Sequence, residues 1–522
     1  MRRIKGVIGT KTSALKFGAR TRTHLAGSPK TSASLPARMP MNRRRFLQAG
    51  AAGAAGAALL PAVGCSMDET GSREHLNVLL VIVDTLRPDH VGAYGSPEVK
   101  TPHIDAIVKR GVRFDRAFPE AMVTIPARRS IFTCKRIFPY RDFKPNLELG
   151  VSPGWLPIDD LERTFTSELR RHGYWTAQVS DNPHLGFTQA YKPFRESFDH
   201  WTSVPGQAGM LKPASTVSLE TVYEWLPPFL RDERYVPGMR EYLANSGAGV
   251  LEEETCAARV FTEAANTLDA ARLRQPFCMV VDCFDPHEPW SPVEKYIRMY
   301  SDPGYRGEKI GVTRYGFARN FSEAQLRELR AIYAAEVTQT DHWLGRFMNR
   351  FHASGLADNT VILFLSDHGY LLGERGYTGK VPSQLHPELA QVPFAIVHPD
   401  GRAAGKTSSY FASTHDVGPT LLSMLGIDPP SWMEGADLSP VLDGRQPSQR
   451  RDFHYGGMFN RFFIRTDDWV LIGDNHGNER TLNNLRTDPR EFVDLVHRHP
   501  GVSAELYATI LDAAGGPLPY YE

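Results

Sequence analysis

Three short apolar runs, each closing on an acid or an acid beside an imidazole, constrain this chain most. Asn77 to Asp84 reads N-V-L-L-V-I-V-D, and Phe277 to His287 reads F-C-M-V-V-D-C-F-D-P-H. Asn359 to Gly369 reads N-T-V-I-L-F-L-S-D-H-G. Short runs without polar alternation, rich in β-branched residues, read as strands buried on both faces, and hence as parallel strands under helices. Helical stretches at about 254–271 and 322–352, the second stopped by Gly355, separate the runs. That pattern predicts an α/β domain. Ligand sites in open parallel sheets lie outside the strand carboxyl ends. Asp84, Asp285 with His287, and Asp367 with His368 all stand there.

Other segments fill in the order. A helix is expected near 101–111, and G-Y-W-T-A-Q-V-S (Gly173 to Ser180) reads as a strand before a polar loop carrying Asp181, Asn182 and His184. Residues 200–255 mix proline, glycine and charge, and read as an irregular insertion over the sheet edge that shapes the pocket entrance. Gly373, Gly376 and Gly379 mark a mobile loop bearing Lys380. A strand at 392–397 and a helix at 416–425 follow. Prolines 429, 430, 440 and 447 mark a boundary, after which short alternating runs predict a small antiparallel sheet and a terminal helix at 503–514. The expected organisation is 1–75 export signal and linker, 76–435 catalytic domain and 436–522 C-terminal subdomain.

The net charge of +1 conceals an asymmetry. Residues 1–65 hold 12 Lys and Arg and no acid, which leaves 48 basic against 59 acidic residues beyond them. A body near −11 argues against nucleic acid as partner. The basic segment itself reads as an export signal. M-N-R-R-R-F-L-Q-A-G from Met41 precedes an Ala/Gly/Leu run that is too short to span a bilayer permanently. Arg43 to Leu47 resembles a twin-arginine signal, and Cys65 after small residues resembles a lipoprotein cleavage box, with Ala62 where leucine is usual. The expectation is an exported protein whose one membrane link is a lipid at Cys65. The five cysteines show no metal-ligand spacing, and Cys278 and Cys283 read as buried thiols.

One further stretch carries chemistry: V-T-I-P-A-R-R-S-I-F-T-C-K, Val123 to Lys135. Proline is tolerated in a helix's first turn, so Pro126 predicts a helix start with Thr124 just ahead of it as cap. Helix N-termini attract anions. A hydroxyl there, with Arg128 four residues on, suits attack on a tetrahedral oxyanion ester. Asp84, Asp367 and His368 offer two hard oxygens and an imidazole for one divalent cation, Ca²⁺, Mg²⁺, Mn²⁺ or Zn²⁺, with the Thr124 hydroxyl completing the shell. Arg128 and Lys380 are expected to neutralise the non-bridging oxygens, and His287 or His184 to protonate the leaving oxygen.

As a set these motifs resemble the sulfatase family of the alkaline phosphatase superfamily. The resemblance runs from N-V-L-L-V-I-V-D-T-L-R-P-D-H-V-G-A-Y-G through T-P-H-I-D, F-D-P-H-E-P-W, L-L-G-E-R-G and D-V-G-P-T-L-L to the final R-T-D-D-W-V-L-I. It implies a mixed, mostly parallel central sheet between helices, a small C-terminal subdomain, one divalent cation and a covalent intermediate. By position, Asp84, Asp367 and His368 match metal ligands, Thr124 the nucleophile, and Lys380 and His287 the residues that hold the ester. Asn182 and His184 fall near the family's Lys-x-His pair.

His368 stands where many members have Asn, and the lysine of the Lys-x-His pair is missing, but two other departures matter more. The family's C/S-x-P-x-R motif reads T-I-P-A-R here, and threonine is not a substrate for conversion to formylglycine. Thr85 stands where many members have a second Asp. The resemblance with these departures implies a metal-dependent hydrolase of phosphate mono- or diesters, or phosphonates, acting through Thr124 without formylglycine. Two alternatives stay open: a sulfatase using unmodified threonine, and a catalytically silent member that binds sulfate esters or glycans.

Overall fold

Alternate residues of the apolar strands bury themselves in two separate cores, and that parity builds the layers. In the computed structural model, which describes residues 75–145, 149–150, 152–246 and 251–522, the strand Asn77–Val83 is buried throughout. Leu79, Val81 and Val83 join one core, while Val78, Leu80 and Ile82 join the other. Successive side chains of a strand point to opposite faces, so a strand with both faces covered must be apolar at every position. The helices Cys256–Arg272 and Glu323–Ala353 cover the first face. Thr124–Thr133, Phe165–Arg171 and Val417–Met424 cover the second. The expected export signal through Cys65 lies outside the described residues.

The main sheet has eight strands in the order Lys406–Ser408, Val112–Phe114, Phe394–Val397, Thr360–Leu365, Asn77–Val83, Phe277–Cys283, Trp175–Ser180 and His200–Ser203. Asn77–Val83 runs parallel to both neighbours, whereas Phe394–Val397 runs antiparallel to both of its own. The sheet is therefore mixed and mostly parallel, sandwiched by helices. The three acid-tipped strands lie side by side at its centre.

Two expectations need correction. Residues 200–255 are not irregular throughout: among the described residues the segment opens with the edge strand His200–Ser203, runs through turns and short helical stretches, and then forms the helix Val236–Asn245. The Gly373–Gly379 stretch is not a loose loop. It forms a three-stranded sheet, Gly316–Phe317, Tyr377–Gly379 and Leu371–Leu372, that ends directly before Lys380. Gly379 has φ +87, and a Cβ there would lie 2.3 Å from the Tyr315 ring, so the turn that sets Lys380 requires glycine.

The small antiparallel sheet comprises His454–Met458, Arg461–Arg465, Trp469–Asp474 and Thr481–Asn484, with the helix Pro500–Ala513 packed on it. It recruits a fifth strand, Ala121–Met122, from far earlier in the chain. The helix carrying Thr124 begins two residues later. Both sheets belong to one compact unit, Glu74–Glu522.

Candidate active site

Thr124 is the first residue of its helix, not the cap ahead of it. Val123 occupies the cap position, no side chain caps the helix, and the Thr124 hydroxyl is left for other work. It lies 3.4 Å from His368 Nε2 and is 2% exposed. His368 donates from Nδ1 to the Gly369 carbonyl at 3.0 Å, which leaves a lone pair on Nε2 facing Thr124. Ligand atoms of Asp84, Asp367 and His368 lie within 4.8 Å of one another, and all three residues are fully buried.

The shell around these groups orients them. Thr85, in the left-handed region with φ 60, donates its amide to Asp367 Oδ1 at 3.0 Å and its hydroxyl to Asp84 Oδ1 at 2.6 Å. Tyr333 holds that turn by donating to the Thr85 carbonyl at 2.7 Å. Thr85 thus steadies both carboxylates. Burial and the neighbouring Asp367 charge push the Asp84 carboxyl well above its ordinary range. Burial acts the same way on Asp367, but His368, Arg128 and the Thr85 amide together outweigh it and hold that carboxyl low. Two buried carboxylates that repel each other, and a free imidazole lone pair, fit one hard or borderline divalent cation.

Arg128 is placed differently from expectation. Its Nη1 donates to Asp367 Oδ2 at 2.6 Å, and its Nη2 to Asp84 Oδ2 at 3.1 Å. Its Nε and Nη2 also grip Asp282 at 3.0 and 2.6 Å. With no exposed surface and three carboxylate partners, Arg128 braces the metal ligands from beneath instead of meeting ester oxygens. Sequence reasoning missed Asp282. Its signal was present: an acid inside F-C-M-V-V-D-C, sharing parity with Cys278 and Val280, must find a cation on the Thr124–Thr133 side. Asp285, the acid at the end of that strand, turns away. It accepts from the Ala257 amide at 2.8 Å and from Gln207, which also donates to Asp181 at 3.1 Å.

Lys380 is 4% exposed, and its ammonium already has three kinds of partner. It reaches His287 Nε2 at 2.8 Å, both Glu288 oxygens at 2.9 and 3.0 Å, and the Tyr315 hydroxyl at 3.0 Å. His287 accepts from this lysine, and its Nδ1 donates to the Glu288 carbonyl. Burial and Lys380 push the His287 pKa well below its ordinary value. Burial, with help from Lys380 and Arg128, takes His184 down to about 4. His184 packs edge-on against Trp155, 5.0 Å between ring centroids, and shares no hydrogen bond with the metal-site residues. Burial and the neighbouring cations thus favour the neutral form of both imidazoles. Asn182 caps the short helix Pro183–Phe187 through Oδ1.

Fold and site together define an α/β protein with a mixed sheet between helices, built around a buried oxygen–nitrogen centre. The family model described as Sulfatase matches residues 76–427, and one described as N-sulphoglucosamine sulphohydrolase, C-terminal, matches 373–512. The chain belongs to the sulfatase family of ester hydrolases. An N-acetylglucosamine-6-O-sulfatase of Bacteroides thetaiotaomicron is 23% identical, over 84% of this chain and 86% of that protein. A multifunctional alkaline phosphatase superfamily protein of Trinickia caryophylli is 25% identical, over 80% and 91%. The crystal structure of a phosphonate monoester hydrolase of Agrobacterium radiobacter superposes with a TM-score of 0.65 at 23% identity, covering 84% of this chain and 95% of that one.

Proposed function

We propose that this protein hydrolyses phosphate mono- or diesters, or phosphonate esters, with Thr124 as an unmodified nucleophile. The observation that carries the proposal is the position of the Thr124 hydroxyl, 3.4 Å from His368 Nε2 at the head of its helix. A divalent cation held by Asp84, Asp367 and His368 would lower the pKa of a neighbouring hydroxyl and screen the ester oxygens. Thr124 supplies the attacking oxygen. Its new bond to phosphorus forms as the bond to the leaving oxygen breaks, the hydroxyl proton passing to solvent and the leaving oxygen departing as an anion that takes a proton from water. A second water then hydrolyses the threonine ester, releasing the phosphate or phosphonate and restoring the hydroxyl. The helix N-terminus at Thr124 offers its free amides to the ester's anionic oxygens.

The choice of phosphorus over sulfur rests on Thr124. A formylglycine hydrate can expel sulfate by collapsing to the aldehyde, and threonine has no such route. The shared fold hosts phosphonate-ester chemistry elsewhere. To test the reading, purified protein is assayed with para-nitrophenyl phosphate, bis(para-nitrophenyl) phosphate, a phosphonate monoester and para-nitrophenyl sulfate, each with several divalent metals. A phosphorus ester turned over fastest, with the rate lost in Thr124→Ala, is the expected result. Fastest turnover of the sulfate, or a rate that survives in Thr124→Ala, overturns it. Metal and ligand binding without turnover of any ester identifies a silent binding member instead.

The export signal leads us to place the protein outside the cytoplasm, through twin-arginine export, with a lipid on Cys65. Cell fractionation and mass spectrometry of the mature N-terminus test this. A cytoplasmic protein that retains residues 41–65 overturns it.

A further inference from the structure

We infer that Glu288 sets the charge of the ester this site accepts, selecting singly charged esters over dianionic phosphomonoesters. The inference rests on the hydrolase reading above and narrows it to phosphodiesters and phosphonate monoesters. Glu288 is 6% exposed, and both of its oxygens lie within 3.0 Å of Lys380 Nζ. The Tyr315 hydroxyl donates to the same carboxylate. A lysine ammonium has three N–H donors. Here they are taken by the His287 Nε2 lone pair, by Glu288 and by the Tyr315 oxygen.

The other fixed cation is matched as well, since Arg128 carries three carboxylates of its own. Among the described residues that form the site, neither cationic side chain therefore arrives with uncompensated charge. An ester with one negative charge that approaches Lys380 brings a single like charge beside Glu288. A dianion brings two beside that desolvated carboxylate, where like charges repel far more than in water. The Glu288 carboxylate is fixed in place by Lys380 and by the Tyr315 hydroxyl, which donates to it. It cannot swing aside without losing both contacts.

The test compares wild type with Glu288→Gln, which keeps the side chain's shape and removes its charge. It uses para-nitrophenyl phosphate, bis(para-nitrophenyl) phosphate and para-nitrophenyl phenylphosphonate. Measurements at about pH 8 lie above a phosphomonoester's second pKa of about 6, so that substrate alone is a dianion. In wild type, kcat/KM for the diester and the phosphonate is expected to exceed that for the monoester by at least about 30-fold. Glu288→Gln is expected to raise the monoester value about 10-fold while changing the other two less than about 3-fold. A purely structural role for Glu288 would move all three substrates together, and that result overturns the inference. If Glu288→Gln does not fold, the wild-type comparison decides: equal kcat/KM for monoester and diester overturns the inference. Failure of wild type to hydrolyse any of the three overturns the hydrolase reading itself, a separate outcome.

Discussion

Arg128 Nη1 donates to Asp367 Oδ2 at 2.6 Å, which ties the arginine of T-I-P-A-R to a metal-site carboxylate and away from the pocket. The same guanidinium spans Asp84 and Asp282, so one planar cation sets the spacing of acids from three adjacent strands. Lysine has no fork with which to do this. Arg128→Lys is expected to weaken divalent-cation binding by about 10- to 100-fold, in line with other residues that orient metal ligands. Arg128→Met, which leaves three buried carboxylates without their counter-charge, is expected to cost about 3–5 kcal/mol of stability. Cation titration calorimetry and chemical denaturation check the two variants.

The nucleophile makes a separable prediction. The Thr124 hydroxyl has no capping duty, and Asp84, Asp367 and His368 are held by their own partners. Thr124→Ala should therefore lose at least about 10³-fold in kcat while keeping its bound cation and its melting temperature. Thr124→Ser, which retains a hydroxyl, should stay within about 10-fold of wild type. Steady-state kinetics combined with metal analysis of the same preparations distinguishes loss of chemistry from loss of the site.

Cation binding should also appear as stability. Asp84 is pushed up by burial and by Asp367, so these two carboxylates resist carrying both charges without a counter-ion. A divalent cation in excess at about 100 times its Kd should stabilise the protein by about 2.7 kcal/mol. A chelator should remove that gain together with the activity. Asp84→Asn and His368→Ala should melt at the same temperature with and without cation. Differential scanning calorimetry across a cation series supplies the measurement.

How much of this was legible in the sequence follows from how local each interaction is. The apolar runs gave the central strands and their order of burial, because a strand covered on both faces cannot alternate. The acids at the tips of Asn77–Val83 and Thr360–Leu365 converge as their positions implied. Asp285 looked equivalent but was not, since the Ala257 amide and Gln207 that capture it come from elsewhere in the chain. Lys380 followed three glycines that read as a loop. All three have positive φ and serve as turn positions of a small sheet whose partner strand, Gly316–Phe317, lies sixty residues earlier. Glu288 was visible in D-P-H-E-P-W, but nothing local showed that its charge would be spent on Lys380.

The Asp181–Asp285 pair yields a pH prediction that can be read apart from catalysis. Burial raises the Asp285 carboxyl to about 6, and it raises Asp181 as well, with the Asp285 charge adding to the effect. A carboxyl whose folded pKa exceeds its unfolded value of about 3.9 binds its proton more tightly in the native state. It contributes stability that is complete below the unfolded pKa and is lost as pH rises through the folded one. Wild type should therefore give up about 1–1.5 kcal/mol from this group alone between about pH 5 and pH 8. Asn at position 285 is always neutral and removes that dependence. Its oxygen can still accept from the Ala257 amide, and once the Gln207 amide, whose Nε2 now faces position 285, turns over, its own amide can donate to Gln207 Oε1, which has no partner among the described residues. Asp285→Asn should thus gain about 1–1.5 kcal/mol on wild type between those two pH values. Urea denaturation of both proteins at each pH is the check. Parallel pH dependence would mean that the buried pair does not share a proton in the native state.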